Sequence, residues 1–212
     1  MIYNLPRKKR KRITNYLTFS SPNPFSIRVK TPGWNGKLYY STDTKRWAKW
    51  TGNDVNATEA DGIYALYFSG IGNTKISGGS SYKWTLDGSN ISCTGNIESL
   101  LDYETVEAGR HPTMAEKCYS YMFYSCTSLT TAPSLPATTL ATRCYDYMFY
   151  NCTSIKLAIS KSLEYDKEYR IPKSGNGVTA TSALNNMFKL TGGTFTGTPS
   201  INTTYYTSNT IV

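Results

Sequence analysis

Five cysteines and a single histidine are the residues of this chain best suited to nucleophilic or metal chemistry, and their spacing argues against both. A thiolate nucleophile needs a base within hydrogen-bond reach. His111 precedes Pro112 in a loop-like stretch, while Cys118 falls on the apolar face of its own segment. A zinc site needs about four Cys or His ligands closing on one ion. Cys118 and Cys126 are eight residues apart, two turns of a helix, which is too far for close chelation. Asn53-Asp-Val-Asn56, with Glu59 and Asp61, offers hard oxygen ligands of the kind calcium takes, but without EF-hand spacing. A solvated polar loop is the plainer reading. Gly70-Ile-Gly72 is followed by strand-like sequence and opens no helix, so it is no phosphate loop. The expectation is a non-enzymatic protein with no catalytic residue, no metal and no cofactor.

Two other groups of residues suit binding. Arg7, Lys8, Lys9, Arg10, Lys11 and Arg12 form an uninterrupted basic run after Pro6. They account for +6 of the formal net charge of +9, so the basicity belongs to a tail. Six like charges in a row resist folding alone. The preferred reading is an arm that docks on an acidic protein surface. Electrostatic contact with nucleic acid or a membrane, a solvated tail, and a nuclear-import signal are the alternatives. The second group is Tyr121, Tyr124, Tyr147 and Tyr150. Tyrosine suits recognition because it is rigid and amphipathic.

Those tyrosines lie in a phrase the chain repeats. Cys118-Tyr-Ser-Tyr-Met-Phe-Tyr-Ser-Cys-Thr-Ser-Leu129 returns 26 residues later as Cys144-Tyr-Asp-Tyr-Met-Phe-Tyr-Asn-Cys-Thr-Ser-Ile155, with nine of twelve positions identical. A fixed period of this size signals stacked units that bury one face on each other. On a helical wheel Cys118, Tyr119, Met122, Phe123 and Cys126 fall within an arc of about 140°, the expected buried face, and Tyr121 and Tyr124 fall opposite it. The cysteines then read as a reduced core ladder. The Thr-rich, Pro-marked segment Ser128–Pro136 after the first phrase predicts a short strand and a turn, so that each unit reads as helix, short strand and turn. A third, eroded copy stands at Ala183-Leu-Asn-Asn-Met-Phe188, where Met187 follows Met148 by 39 residues, one period plus a 13-residue insertion. Thr203 to Val212 reads as a final capping strand.

Before the repeats the pattern is β. Phe25-Ser-Ile-Arg-Val29, Leu38-Tyr-Tyr40, Tyr64-Ala-Leu-Tyr-Phe68 and Tyr82-Lys-Trp-Thr-Leu86 are separated by Gly, Pro and Asn clusters, which predicts a small antiparallel sandwich. Trp34, Trp47, Trp50 and Trp84 are its candidate core, and Asn96 is the candidate cap of a short helix. The expected class is α+β: an N-terminal antiparallel β-sandwich followed by a short leucine-rich-repeat-like solenoid, one helix and one short strand per repeat. The expected divisions are a basic arm (1–14), the sandwich (15–95) and the repeat domain (96–212). No segment approaches the ~18 apolar residues of a membrane span, and no apolar stretch follows the N-terminal charge, so no secretory signal is expected.

Met122-Phe123, Cys126, Ser128-Leu129 and Pro133-Ser-Leu-Pro136, with their second copies through Ile155, resemble the BspA-like leucine-rich repeats of bacterial surface proteins, in the 26-residue variety of gut bacteria and their bacteriophages. Trp34-x-Gly36-x-Leu38-x-Tyr40-Ser-Thr-Asp43 is similar to the β module that often precedes such repeats. Lys156-Leu-Ala-Ile159 departs from the pattern, replacing the Pro-x-Leu-Pro turn. The resemblance implies adhesion or a structural role rather than catalysis. It points to a bacteriophage virion protein, held to capsid or tail proteins by the basic arm and facing a host-surface protein or glycan. Homo-oligomerisation is compatible with this setting. The alternative is a bacterial cell-surface adhesin.

Overall fold

The computed structural model describes residues 15–208, so the basic run Arg7–Arg12 lies outside the described residues. Strands take up 34% of the described residues and helix 6%. The α-helical content is one short element, Tyr103–Glu107. Two sheets share the core of the first half. The larger has seven strands, in the order Leu129–Thr131, Ile91–Thr94, Leu17–Ser21, Ile63–Ile71, Lys37–Ser41 and Ala48–Trp50, with Thr58–Ala60 also paired to Ile63–Ile71. The smaller runs Val55–Asn56, Ser26–Val29 and Trp84–Asp87. Alternation puts Leu17 and Phe19 inward on one sheet and Ile27 and Val29 inward on the other. Trp84 closes the space between them, 4.8 Å from Trp50 and 5.1 Å from Phe68, centroid to centroid.

The repeats correct the expected fold class, because the helix-plus-strand solenoid does not form. Each phrase is a chain of tight turns. Every fourth residue is left-handed: Lys117, Tyr121 and Ser125, then Arg143, Tyr147 and Asn151, then Ser182, Asn186 and Leu190, all with φ between 50° and 62°. In an α-helix each N–H returns to the carbonyl four residues back. Here alternate N–H groups do something else. Those of Ser120, Met122, Tyr124 and Cys126 return three residues, whereas those of Tyr119, Tyr121, Phe123 and Ser125 cross to the carbonyls of Cys144, Asp146, Met148 and Tyr150 at 2.8–3.0 Å. The second unit repeats the arrangement toward the third: Tyr145, Tyr147, Phe149 and Asn151 donate to Ala183, Asn185, Met187 and Lys189. The eroded third copy is therefore a full member of the stack.

Like side chains stack as the units do. Phe123, Phe149 and Phe188 form a buried column with centroid spacings of 5.5 and 5.3 Å, and Tyr119 lies 5.5 Å from Tyr145. All five cysteines are free and buried. The thiols of Cys126 and Cys152 donate to the carbonyls of Trp84 and Phe123, each in the layer before. The first half supplies that earlier layer: the N–H groups of Ile76 and Trp84 donate to Cys118 and Met122. At the far end Phe188 N–H meets Gly197 O and Asn186 N–H meets Thr198 Oγ1. The inserted segment forms the strand Tyr165–Ile171, which pairs with Thr203–Ser208 in a four-stranded sheet completed by Lys156–Ala158 and Gly192–Gly193.

Two substitutions test this architecture by urea denaturation. Phe149→Ala removes the middle ring of the buried column and is expected to cost about 3–5 kcal/mol. Leu190 is half-exposed yet left-handed, so Leu190→Asn is expected to raise stability by about 1 kcal/mol, since asparagine tolerates that conformation.

Candidate functional site

The turn geometry places the four tyrosines on one face. Tyr121 and Tyr147 are left-handed residues at equivalent positions, and Tyr124 and Tyr150 follow three residues later. All four are half-buried. Their rings stack in two columns parallel to the axis of the repeats. Tyr121 and Tyr147 are 4.8 Å apart and 9° from coplanar, while Tyr124 and Tyr150 are 5.0 Å apart and 3° from coplanar. Within a unit the neighbours are 5.3 and 5.4 Å apart and tilted. The result is a two-by-two block of rings.

Charge surrounds the block. Lys83 Nζ sits 5.6 Å from the centroid of Tyr124 on the side away from Tyr150. Arg143 grips Asp146 through Nε and one Nη at 2.8 and 2.7 Å, and the Asp146 side chain is completely buried. Asn185 Nδ2 reaches the other carboxylate oxygen at 3.4 Å. Burial, then the adjacent Tyr147 and Asp146, pushes the Tyr121 phenol upward, so it keeps its proton at neutral pH and can donate. Asp146 is where the second phrase has Asp for Ser120. The sequence showed that exchange but not the burial of Asp146.

The nucleophile and metal candidates are placed elsewhere. His111 Nδ1 contacts Glu98 Oε2 at 2.8 Å, not Cys118. Burial raises the Cys118 thiol well above its ordinary range and pushes those of Cys126 and Cys144 up to about 12, so all three stay protonated. The acidic loop is spread out: Asp54 faces Arg28 at 3.8 Å and Glu59 Oε1 accepts the Gly62 N–H. Among the described residues no three His, Cys, Asp or Glu side chains converge as metal ligands would. Gly70 lies in a strand so close to the Leu100 carbonyl that a Cβ would approach it to 1.7 Å, which accounts for the glycine by packing. A separate groove of about 630 Å³ lies between the large sheet and the Tyr165–Ile171 strand, with Ser92, Thr131, Lys167 and Tyr169 in its lining. No helix among the described residues is long and apolar enough to cross a membrane.

No protein-family model, curated protein or solved structure matches the chain.

Glu98, which nothing in the sequence singled out, is the least expected charge. Asn96 caps its short 3₁₀ helix, as the cap residue does in such motifs, and Glu98 is 1% exposed with Oε1 lacking any partner among the described residues. Burial raises its pKa above the ordinary carboxylate value, against the opposing pull of His111. A raised acid favours folding when protonated, so its contribution is present at acid pH and is lost as pH rises through the folded-state value. Glu98→Gln is therefore expected to gain stability relative to the parent between about pH 4 and pH 7, read as the difference in urea midpoints at the two ends.

Proposed function

We propose that this chain is a non-catalytic binding protein, a structural or decoration component of a bacteriophage virion that is anchored by its basic arm and presents its repeat face to a host surface. One observation carries the recognition role. Tyr121 and Tyr147 are bulky residues held left-handed while their side chains stay outside the core. That conformation costs roughly 1–2 kcal/mol per residue. The third unit has Asn186, a better-suited residue, at the same position. Stability does not favour tyrosine there, whereas a recognition surface does, and strain of this kind collects at functional positions. The virion setting is supported by the likeness of the 26-residue phrase to BspA-like repeats. The arm supports it too, since six adjacent cations suit an acidic anchoring surface.

Mass spectrometry of purified particles from the source culture checks the setting. Peptides of this chain are expected in stoichiometric amount. Their absence from particles and presence in the cell envelope would overturn the virion reading and favour a surface adhesin. The recognition role is checked by the double variant Tyr121→Asn/Tyr147→Asn. It is expected to stay within about 1 kcal/mol of the parent, because relief of the left-handed strain offsets the lost ring stacking. Binding to host cells is expected to fall by about tenfold or more.

A further inference from the structure

The tyrosine block has a chemistry that narrows its ligand, given the recognition role proposed above. We infer that this face binds an anionic polysaccharide, holding carboxylate or sulfate groups against the tyrosine edges and the lysines at either end of the Tyr124–Tyr150 column. The rings stack in pairs along the repeat axis, so one π-face of each is turned to its partner and the edges line the side of the column. The edge is the positive end of an aromatic quadrupole, and a phenol adds a hydroxyl donor there. Ring spacings of 4.8 and 5.0 Å set these groups in matched pairs one layer apart, which suits a polymer with regularly placed charges.

Cations finish the surface. Lys83 covers one end of the Tyr124 column. Lys189 is exposed and holds in the third unit the position that Tyr150 holds in the second, as the stacking of Phe149 on Phe188 one residue earlier fixes the register. Arg143 spends two donors on Asp146 and keeps 42% of its side chain in solvent. The acids on this face are already engaged, because Asp146 is buried on Arg143 and Glu116 pairs with Lys117 at 3.6 Å. Donors and positive charge therefore face outward.

The same geometry disfavours other ligand classes. Single-stranded nucleic acid is held by bases stacking on open aromatic faces, and here each of Tyr121, Tyr124, Tyr147 and Tyr150 has one face taken by its partner ring, while Lys83 stands over Tyr124 as well. A protein interface centres on an apolar core. The large exposed apolar residues are Ile63, Ile71, Ile159, Leu163, Val178 and Leu190, of which Leu190 alone is in a turn unit.

The test uses the full chain with Arg7, Lys8, Lys9, Arg10, Lys11 and Arg12 all replaced by serine, so that the arm cannot capture polyanions. Affinity electrophoresis at about 0.15 M salt compares polygalacturonate, dextran sulfate and neutral dextran. Retardation by both anionic polymers and not by dextran is expected. It should weaken about tenfold or more in Lys83→Gln/Lys189→Gln and return in Lys83→Arg/Lys189→Arg, with urea midpoints confirming that each variant is folded. Three results would each overturn the inference: equal retardation by neutral dextran, anionic binding that survives Lys83→Gln/Lys189→Gln, or tighter binding to poly-glutamate or single-stranded DNA. Tyrosine-dependent binding to host cells without any polyanion binding removes this inference and leaves the recognition role intact. Loss of tyrosine dependence on cells removes both.

Discussion

Alternate backbone N–H groups that leave their own turn to pair with the next unit are the constraint on which the second half of this protein rests. A peptide chain that must send every second donor sideways cannot be an α-helix, whose donors all run along its own axis. A left-handed residue at every fourth position performs the redirection. Each such residue is costly when it is not glycine, and the cost is spread over crossing hydrogen bonds and a buried aromatic column that exist only because the units face one another in register. A single unit would carry the strain with neither return, so the stack folds with its ends covered. Trp84 illustrates the dependence. Its ring fills the space between the sheets, its backbone N–H donates to the Met122 carbonyl and its own carbonyl accepts the Cys126 thiol.

That constraint also generates the surface. Because equivalent positions lie one above another at about 5 Å, whatever aromatic ring the chain repeats at one position becomes a column. Buried positions yield the Phe123–Phe149–Phe188 column, and outward positions yield the tyrosine block with its flanking lysines. The cysteines belong to the first kind. Their thiols hydrogen-bond to carbonyls of the layer before, which gives a small, nearly apolar side chain a polar task that the phenylalanines cannot perform.

The core membership of the repeat was legible in the sequence, and its conformation was not. Cys118, Tyr119, Met122, Phe123 and Cys126 are all buried, as the wheel suggested. A period of 4.0 and one of 3.6 differ by less than about one residue over two turns, so nine residues cannot separate them. The residues that mark the difference are Ser125, Asn151 and Asn186, which accept left-handed geometry. Tyr121, Tyr147 and Leu190 at matching positions conceal the signal. The strands were easier, since Ser26–Val29 falls within an alternating run and Trp84–Asp87 overlaps another. Of the site, the four tyrosines could be named from their spacing. Lys83 and Lys189 could not, since they are 106 residues apart in the chain and become neighbours of the block only through stacking. Buried Glu98 and Asp146 were equally hidden, because their burial comes from tertiary packing and not from their sequence neighbours, even though Arg143, the partner of Asp146, is three residues away.

The crossing backbone hydrogen bonds between the turn phrases all point one way, from each phrase to the one after it. The stack is thus polar, with acceptors facing the N-terminal sheets and donors facing the Thr194–Ser200 stretch. Both ends are covered from within the chain, the acceptor end by Ile76 and Trp84 and the donor end by Gly197 and Thr198, so the ladder leaves those groups no need of a second copy. The middle unit alone has another repeat on both sides, accepting from the first and donating to the third. Duplicating those 26 residues would lengthen the stack without altering either end, and each added copy would extend the tyrosine columns by one rung.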